Sequence, residues 1–205
     1  MNNSGSKQGV HMKTFLKVLV PLFFLFFAAA CSNEQKIPNA TDYEVESFAY
    51  KNQDNADLSL EDLKGKVWVA DFIFTSCNTV CLPMTANMKK LQERLAEEGI
   101  EDVELISFSV DPEVDSPEVL KEYGQKFGAD FANWQFLTGY SQAEIESFSQ
   151  ESFKTTVQKP DGNDQVIHSV SFSLVDQEGR VVQSYSGLDD IPMDDIIKHI
   201  KMLQS

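Results

Sequence analysis

The chain has 205 residues, of which 42% are hydrophobic and 24% are charged, and this length corresponds to roughly one to one and a half domains. The composition is that of an ordinary globular protein, which excludes a wholly disordered, collagen-like or polytopic membrane chain. The 32 acidic and 17 basic residues give a net charge of −15. A protein this acidic repels phosphate backbones, so we expect no nucleic-acid partner.

The N-terminal segment reads as a targeting sequence. Lys13 and Lys17 flank the start of an apolar run over residues 18–30, which is too short for a transmembrane helix but has the length of a signal-peptide core. Three alanines run directly into Cys31, and this ending resembles a bacterial lipoprotein signal, in which the cysteine is lipidated. A plain secretory signal and an uncleaved anchor helix remain open as alternatives.

These features predict three segments. Residues 1–30 form a leader and signal peptide, residues 31–43 a lipid-anchored tether, and residues 44–205 a globular domain. We expect the domain to be anchored to the cell membrane through lipid on Cys31, on the extracytoplasmic face. The two alternative signals also place the domain outside the cytoplasm.

The domain opens with two short predicted strands. Val45–Tyr50 alternates apolar and polar residues, and Asp57–Leu60 is a second candidate, so the pair predicts an N-terminal β-hairpin. Val67–Phe74 is a nearly continuous apolar run, which indicates a central strand covered on both faces. Asp71 is the exception within that run.

The later elements alternate between helix and strand. Pro83–Glu98 repeats apolar residues with helical spacing, and proline suits the first helical position, so the residues before it are expected on a turn. The other predicted elements are strand Val103–Val110, a helix from Ser116 to Gly128, strand Gln135–Leu137, a helix opened by a capping box at Ser141, loop Gln158–Gln165, a hairpin of Ser169–Val175 and Arg180–Tyr185, and helix Pro192–Leu203. This order predicts an α/β domain with a thioredoxin-like fold: a central mixed sheet flanked by helices, with the N-terminal β-hairpin and an inserted helix.

Two cysteines lie where such a fold places its functional site. Cys77 and Cys81 fall between the predicted central strand and the first long helix, where the helix dipole favours a thiolate. Three residues separate them, which allows a disulfide or convergence on one soft metal ion but is not the C-x-x-C spacing of thioredoxin. A structural disulfide in an exported protein stays open.

A histidine is the expected third donor if a metal binds. His168 lies where the predicted loop meets a strand that neighbours the central one in a thioredoxin-like sheet, so it can reach the cysteine turn. His199 lies on the last predicted helix, beside lysines, and we expect it at the surface or its boundary.

The combined motifs are specific. The segments VADFIFTSCNTVCLPM, SFSVDPEVDSP and VIHSVSFSLVDQEG resemble the Sco/SenC family of membrane-tethered copper proteins, which take part in cytochrome c oxidase assembly. Asn78 stands where the family has proline, and Leu82 displaces a second proline by one position. The resemblance runs from about Val45 to the C-terminus.

The resemblance implies a function. Cys77, Cys81 and His168 would bind one copper ion per domain, as Cu(I), Cu(II) or both, and the domain would deliver copper to the dinuclear site of cytochrome c oxidase subunit II or keep that site reduced. Oxidation of Cys77 and Cys81 to a disulfide would release the metal, which makes them a redox pair. We expect a metallochaperone rather than an enzyme, and we identify no small-molecule substrate.

Two acidic residues are candidates for supporting the site. Asp71 and Asp111 fall near strand ends that face the cysteines, and Asp111 would either orient His168 or contact a partner, the alternative being a solvated carboxylate in a turn. Two other functions stay open. One is an extracytoplasmic thiol–disulfide oxidoreductase that uses Cys77 and Cys81 without metal, and the other is a tethered binding protein with a structural disulfide.

Overall fold

The structure is a computed structural model that describes residues 37–77, 79–163 and 165–205. The expected signal peptide and the expected lipid site at Cys31 therefore lie outside the described residues. Among the helices that are described, none is long and apolar enough to cross a membrane.

The described residues form one mixed sheet and five helices. The strands lie in the order β1-β8-β7-β4-β5-β6-β2-β3. Strands β4, β5 and β6 run parallel, while β7 runs antiparallel to β4. The strands are β1 (Tyr43–Glu44), β2 (Ala49–Asn52), β3 (Asp57–Ser59), β4 (Val67–Ile73), β5 (Val103–Ser109), β6 (Trp134–Thr138), β7 (Ser171–Val175) and β8 (Arg180–Ser186), and the helices are α1 (Leu60–Leu63), α2 (Cys81–Glu97), α3 (Pro117–Lys126), α4 (Gln142–Phe153) and α5 (Met193–Leu203).

Strand β4 lies at the centre of the core, and all of its residues are buried. Its side chains alternate between two apolar clusters because successive residues of a strand point to opposite faces. Trp68 and Phe72 pack with residues of α1, α4 and the N-terminal hairpin, whereas Val69 and Ile73 pack with residues of α2, α3 and α5. Helices therefore cover both faces, as the continuous apolar run predicts.

Most predicted elements are present, and the differences are local. The N-terminal hairpin is β2–β3, while the two-residue β1 and the one-turn α1 were not predicted. Helix α2 begins at Cys81 rather than at Pro83, so the expectation that both cysteines precede the helix is wrong. The amide groups of a first helical turn have no partner inside the helix, and proline is therefore tolerated there as the third residue.

The topology brings three separate segments together at the same ends of neighbouring strands. Because β4 and β5 are parallel, the segments that follow them lie side by side. Because β7 is antiparallel to β4, the segment that precedes β7 lies beside the segment that follows β4. The cysteines after β4, the turn after β5 and His168 before β7 meet there, at the carboxyl ends of the parallel strands, where α/β sheets place their sites.

Candidate metal centre

The cysteine turn, residues 75–80, joins β4 to α2. The backbone N–H of Cys77 donates to the Phe74 carbonyl over 3.3 Å, and the backbone N–H of Cys81 donates to Cys77 Sγ over 3.4 Å. Both thiols are buried, with 4% and 0% of the residue exposed, and no disulfide joins them. Cys77 Sγ thus lies at the N-terminus of a 17-residue helix, a position that stabilises a negative charge.

The two thiols differ in acidity. Burial raises the pKa of the Cys77 thiol, but hydrogen bonds from the Cys81 side chain and from the backbone N–H groups of Thr79 and Cys81 outweigh burial and hold its pKa below the ordinary value. The pKa of Cys81 is raised, first by burial and then by its hydrogen bond to Cys77 and the nearby charges. Cys77 is therefore the thiol that ionises more readily of the two.

His168 presents one ring nitrogen to the cysteines. Its Nε2 lies 3.2 Å from Cys81 Sγ, and its Nδ1 lies 2.8 Å from the Ser169 carbonyl oxygen. A carbonyl can only accept, so Nδ1 carries the proton and Nε2 keeps its lone pair. Burial lowers the pKa of His168, partly offset by the Ser169 carbonyl, which favours the neutral imidazole. The ring also packs edge-on against Phe74, with 5.6 Å between centroids.

The three donor atoms are arranged to share one ion. The two sulfurs and a His168 nitrogen all lie within 4.8 Å of one another. Metal bonds to histidine nitrogen and cysteine sulfur are about 2.0–2.3 Å long, so donors on opposite sides of one ion are separated by about 4.6 Å. Two thiolates with one imidazole form a soft donor set, which suits Cu(I) or Zn²⁺ rather than Mg²⁺ or Ca²⁺. The residues present therefore fit a soft metal ion.

Asp71 is buried under the site but forms no hydrogen bond to its donors. The residue is fully buried in β4, and neither carboxylate oxygen has a hydrogen-bond partner in the described part of the chain. Burial raises its pKa to about 7, although Ser107 lowers it somewhat. A role for Asp71 in supporting the metal donors stays a prediction.

Asp111 differs from its expected solvated state. It is 2% exposed, and its Oδ1 accepts from Lys159 Nζ over 2.7 Å. A solvated turn carboxylate is therefore the wrong description. The Ser169 carbonyl accepts from His168 Nδ1, so Asp111 forms no hydrogen bond at that atom, and a role for Asp111 in orienting His168 or in contacting a partner stays a prediction. The sequence around Asp111 does not indicate that Lys159 is its ion-pair partner, because 48 residues separate the two.

Sequence reasoning missed Asp115 as a residue that supports the cysteine turn. Asp115 is fully buried and accepts from the Thr75 backbone N–H over 3.2 Å, from the Thr75 hydroxyl, and from Ser109 Oγ over 2.6 Å. It therefore ties the cysteine turn to the turn after β5. The available signal was the segment SVDPEVDSP, which places two aspartates, Asp111 and Asp115, directly after a predicted strand.

His199 lies away from this site. It is 8% exposed, and its Nδ1 lies 2.7 Å from the Tyr185 hydroxyl. The expectation of a surface or boundary position is wrong, because Tyr185 on β8 supplies a partner that allows burial.

Comparison with known proteins places this geometry in a family. The family described as SCO1/SenC matches residues 37–205. The SCO1 protein homolog of Bacillus subtilis is 52% identical over 93% of this chain and 97% of its own length.

Solved structures agree with this assignment. A SCO1/SenC family lipoprotein from Bacillus anthracis superposes with a TM-score of 0.80 at 50% identity, over 82% of this chain and 99% of that one. BsSco, described as having a disulfide switch and as a member of the Sco family of cytochrome c oxidase assembly proteins, gives a TM-score of 0.77 at 53% identity, over 83% and 99% of the two chains.

A more distant structure, Bradyrhizobium japonicum ScoI with copper bound, shows a likeness of fold alone. Its TM-score is 0.65 at 23% identity, over 78% of this chain and 99% of that one. The fold, the family match and the two close structural relatives agree, and the chain belongs to the SCO1/SenC family, with the thioredoxin-like fold that its sequence predicts.

Proposed function

We propose that this protein is a membrane-tethered, extracytoplasmic copper chaperone that holds one copper ion on Cys77, Cys81 and His168. Its role would be to assist assembly of the dinuclear copper centre of cytochrome c oxidase subunit II. The observation that carries the proposal is the convergence of two sulfurs and one imidazole nitrogen within 4.8 Å. The description of BsSco as an oxidase assembly protein supports the proposed partner.

Copper suits both the donors and the task. Cysteine sulfur and imidazole bind soft ions, and affinity for copper is the highest among the divalent first-row metals. Three protein donors leave room for a ligand from a partner, so the ion can pass by stepwise exchange of donors. The copper found in B. japonicum ScoI supports the choice of metal.

The redox state of the cysteines would control copper release. Copper-bound cysteines would be thiolates, so formation of the Cys77–Cys81 disulfide would replace the two sulfur–metal bonds by one S–S bond and pass two electrons to an oxidant such as a disulfide of the partner, whose S–S bond breaks and whose two sulfurs take up protons from solvent. Both sulfur donors are lost in that one step, so the ion leaves. The disulfide switch described for BsSco supports this coupling.

A thiol–disulfide oxidoreductase is the second candidate function. The difference in pKa between the two thiols favours it, because a thiolate at Cys77 beside a protonated Cys81 is the arrangement of an attacking and a resolving cysteine. Such a protein would reduce the copper-site cysteines of the oxidase and would not need His168. His168 therefore separates the two candidates.

The proposed location follows from the signal sequence and from the B. anthracis relative, which is described as a lipoprotein. Replacing Cys31 by Ser removes the proposed lipid site. We expect the variant to leave the membrane fraction after signal cleavage. Continued sedimentation of the cleaved variant with membranes would contradict lipid anchoring.

A copper titration tests the central claim. The full-length protein in detergent, with both thiols reduced, is titrated with Cu(I) against a competing chelator. We expect one ion per chain, and His168→Ala should weaken binding by more than the roughly 10- to 100-fold typical of changes outside the donor set. His199→Ala is the matched control, since His199 bonds Tyr185 instead. Binding that is insensitive to His168 would favour the oxidoreductase.

A further inference from the structure

We propose that Lys159 is a positioning residue for the metal centre: its ion pair with Asp111 holds the loop that carries His168 against the turns that fix the two cysteines. This inference rests on the proposed copper-binding function and adds to it a residue that controls the third donor. The argument follows a continuous set of contacts around the site.

The first contacts lie within the histidine loop, residues 154–170, which joins α4 to β7. Gln158 and Ile167 form an antiparallel bridge, with 2.9 Å between N and O in both directions. Lys159 directly follows one bridge residue and His168 directly follows the other. The bridge therefore couples the position of Lys159 to that of His168.

The second contact joins this loop to the turn after β5. Lys159 Nζ lies 2.7 Å from Asp111 Oδ1, and the two side chains are 20% and 3% exposed. Lys159 Nζ also lies 3.5 Å from the carboxylate of Glu113, which is 74% exposed, and the Lys159 backbone N–H donates to Glu146 Oε1 over 2.9 Å. A carboxylate as buried as that of Asp111 is energetically costly without a charged partner. The pairing with Asp111 is therefore favoured over the pairing with the exposed Glu113, and this favours one position of the Lys159 side chain.

The third set of contacts leads from Asp111 to the cysteines. The Asp115 backbone N–H donates to the Asp111 carbonyl over 2.9 Å, and the Asp115 carboxylate accepts from Thr75, two residues before Cys77. On the opposite side, His168 Nε2 lies 3.2 Å from Cys81 Sγ. These contacts form a ring around the metal centre. Within this ring, the Lys159–Asp111 ion pair joins the histidine loop to the turn after β5, which supports the cysteine turn.

Loss of this pair should loosen the third donor without unfolding the loop. The base of the loop keeps its bridge and the two valines, Val157 and Val166, which are 4% and 6% exposed. Lys159→Met keeps most of the aliphatic stem and removes the charge. We expect it to lower copper affinity about 10-fold, within the range typical of residues that orient metal ligands.

The test compares four full-length proteins in detergent: wild type, Lys159→Met, Asp111→Asn and the double variant. Cu(I) affinity is measured by chelator competition, and pulsed EPR of the Cu(II)-loaded protein records the coupling to imidazole nitrogen. Lys121→Met is the matched control, because Lys121 also lies 2.7 Å from a carboxylate, that of Asp54, but both side chains are 45% exposed.

We expect each single variant to lose copper affinity and imidazole coupling. The double variant should bind copper no more weakly than the single variant with the lower affinity, because both substitutions break the same contact. Lys159→Arg should restore most of the affinity if Lys159→Met folds poorly. Wild-type affinity and coupling in both single variants would overturn the inference while leaving the proposed function intact. Absence of copper binding by the wild type would overturn the proposed function and this inference with it.

Discussion

The cysteine turn and the histidine loop supply the same site but are held in different ways. The cysteine turn joins two regular elements, β4 and α2, and Asp115 fixes it through buried hydrogen bonds. The histidine loop is longer, and Ile167 beside the donor is 56% exposed. Two metal donors are therefore positioned by the core of the fold, whereas the third depends on a few contacts between distant segments. The following experiments test this difference.

The largest effect is expected at Asp115, which supports the cysteine turn. Asp115→Ala leaves the Thr75 and Ser109 donors without an acceptor. Unsatisfied buried donors cost about 1–3 kcal/mol each, so we expect the free energy of unfolding to fall by roughly 2–4 kcal/mol. Urea denaturation of the variant and of the more exposed Asp54→Ala measures the effect. A loss equal to that of Asp54→Ala would show that the turn does not depend on Asp115.

Asp71 lies in the strand that leads to the same turn, and its effect should depend on pH. Its folded-state pKa of about 7 exceeds the ordinary value of 3.8, so the native state binds a proton more tightly than the unfolded state, and stability is lost as pH rises from about 4 to 7. Asp71→Asn removes this loss.

We expect the stability advantage of Asp71→Asn over wild type to grow by roughly 2 kcal/mol between pH 5 and pH 8. Chemical denaturation at the two pH values measures it, with the exposed Asp57→Asn as control. An advantage that is constant with pH would mean that Asp71 does not titrate in this range.

The two thiols of the metal centre should react at different rates. Cys77 has a lowered pKa and Cys81 a raised one, and the thiolate is the nucleophile. Limited iodoacetamide labelling of the reduced, metal-free protein at pH 7.5 should modify Cys77 on the order of 10-fold faster than Cys81. Peptide mass spectrometry quantifies both products. Equal labelling would contradict a lower pKa at Cys77 than at Cys81.

The smallest effect is expected at the tip of the histidine loop. Gly162 has a φ of +69°, and a Cβ added there meets nothing within 4 Å, so Gly162→Ala should cost only about 1 kcal/mol of backbone strain. Copper affinity should not change, because the tip lies beyond the bridge and the ion pair. A loss comparable to that of Lys159→Met would show that the whole loop, and not its anchor, positions His168.

The sequence is most informative where chemistry and local pattern coincide. Cys77 and Cys81 follow a recognisable central strand, and His168 precedes a strand that the fold places beside it, so the topology brings together the three predicted donors. The start of α2 is predicted two residues late. Proline prefers the first helical position, but the whole first turn tolerates it because the amide groups there have no partner inside the helix.

The supporting contacts could not be predicted in the same way. Asp115 and Thr75 are 40 residues apart, and Lys159 and Asp111 are 48 residues apart. No periodic pattern relates such residues, and the burial of Asp111 follows from its distant partner rather than from its own turn. The donor residues can be identified from short sequence motifs. The residues that hold these donors in place can be identified only from the tertiary structure.

The two outermost strands of the sheet also limit how another protein can approach. Strand β1 has two residues and β3 has three, and these are the edges of the eight-stranded sheet. Such short edges offer little unpaired backbone for an added strand, which protects against edge-to-edge aggregation. Addition of a partner strand to β1 or β3 is disfavoured for the same reason, whereas the thiols and the imidazole lie at the ends of the strands, away from these two edges.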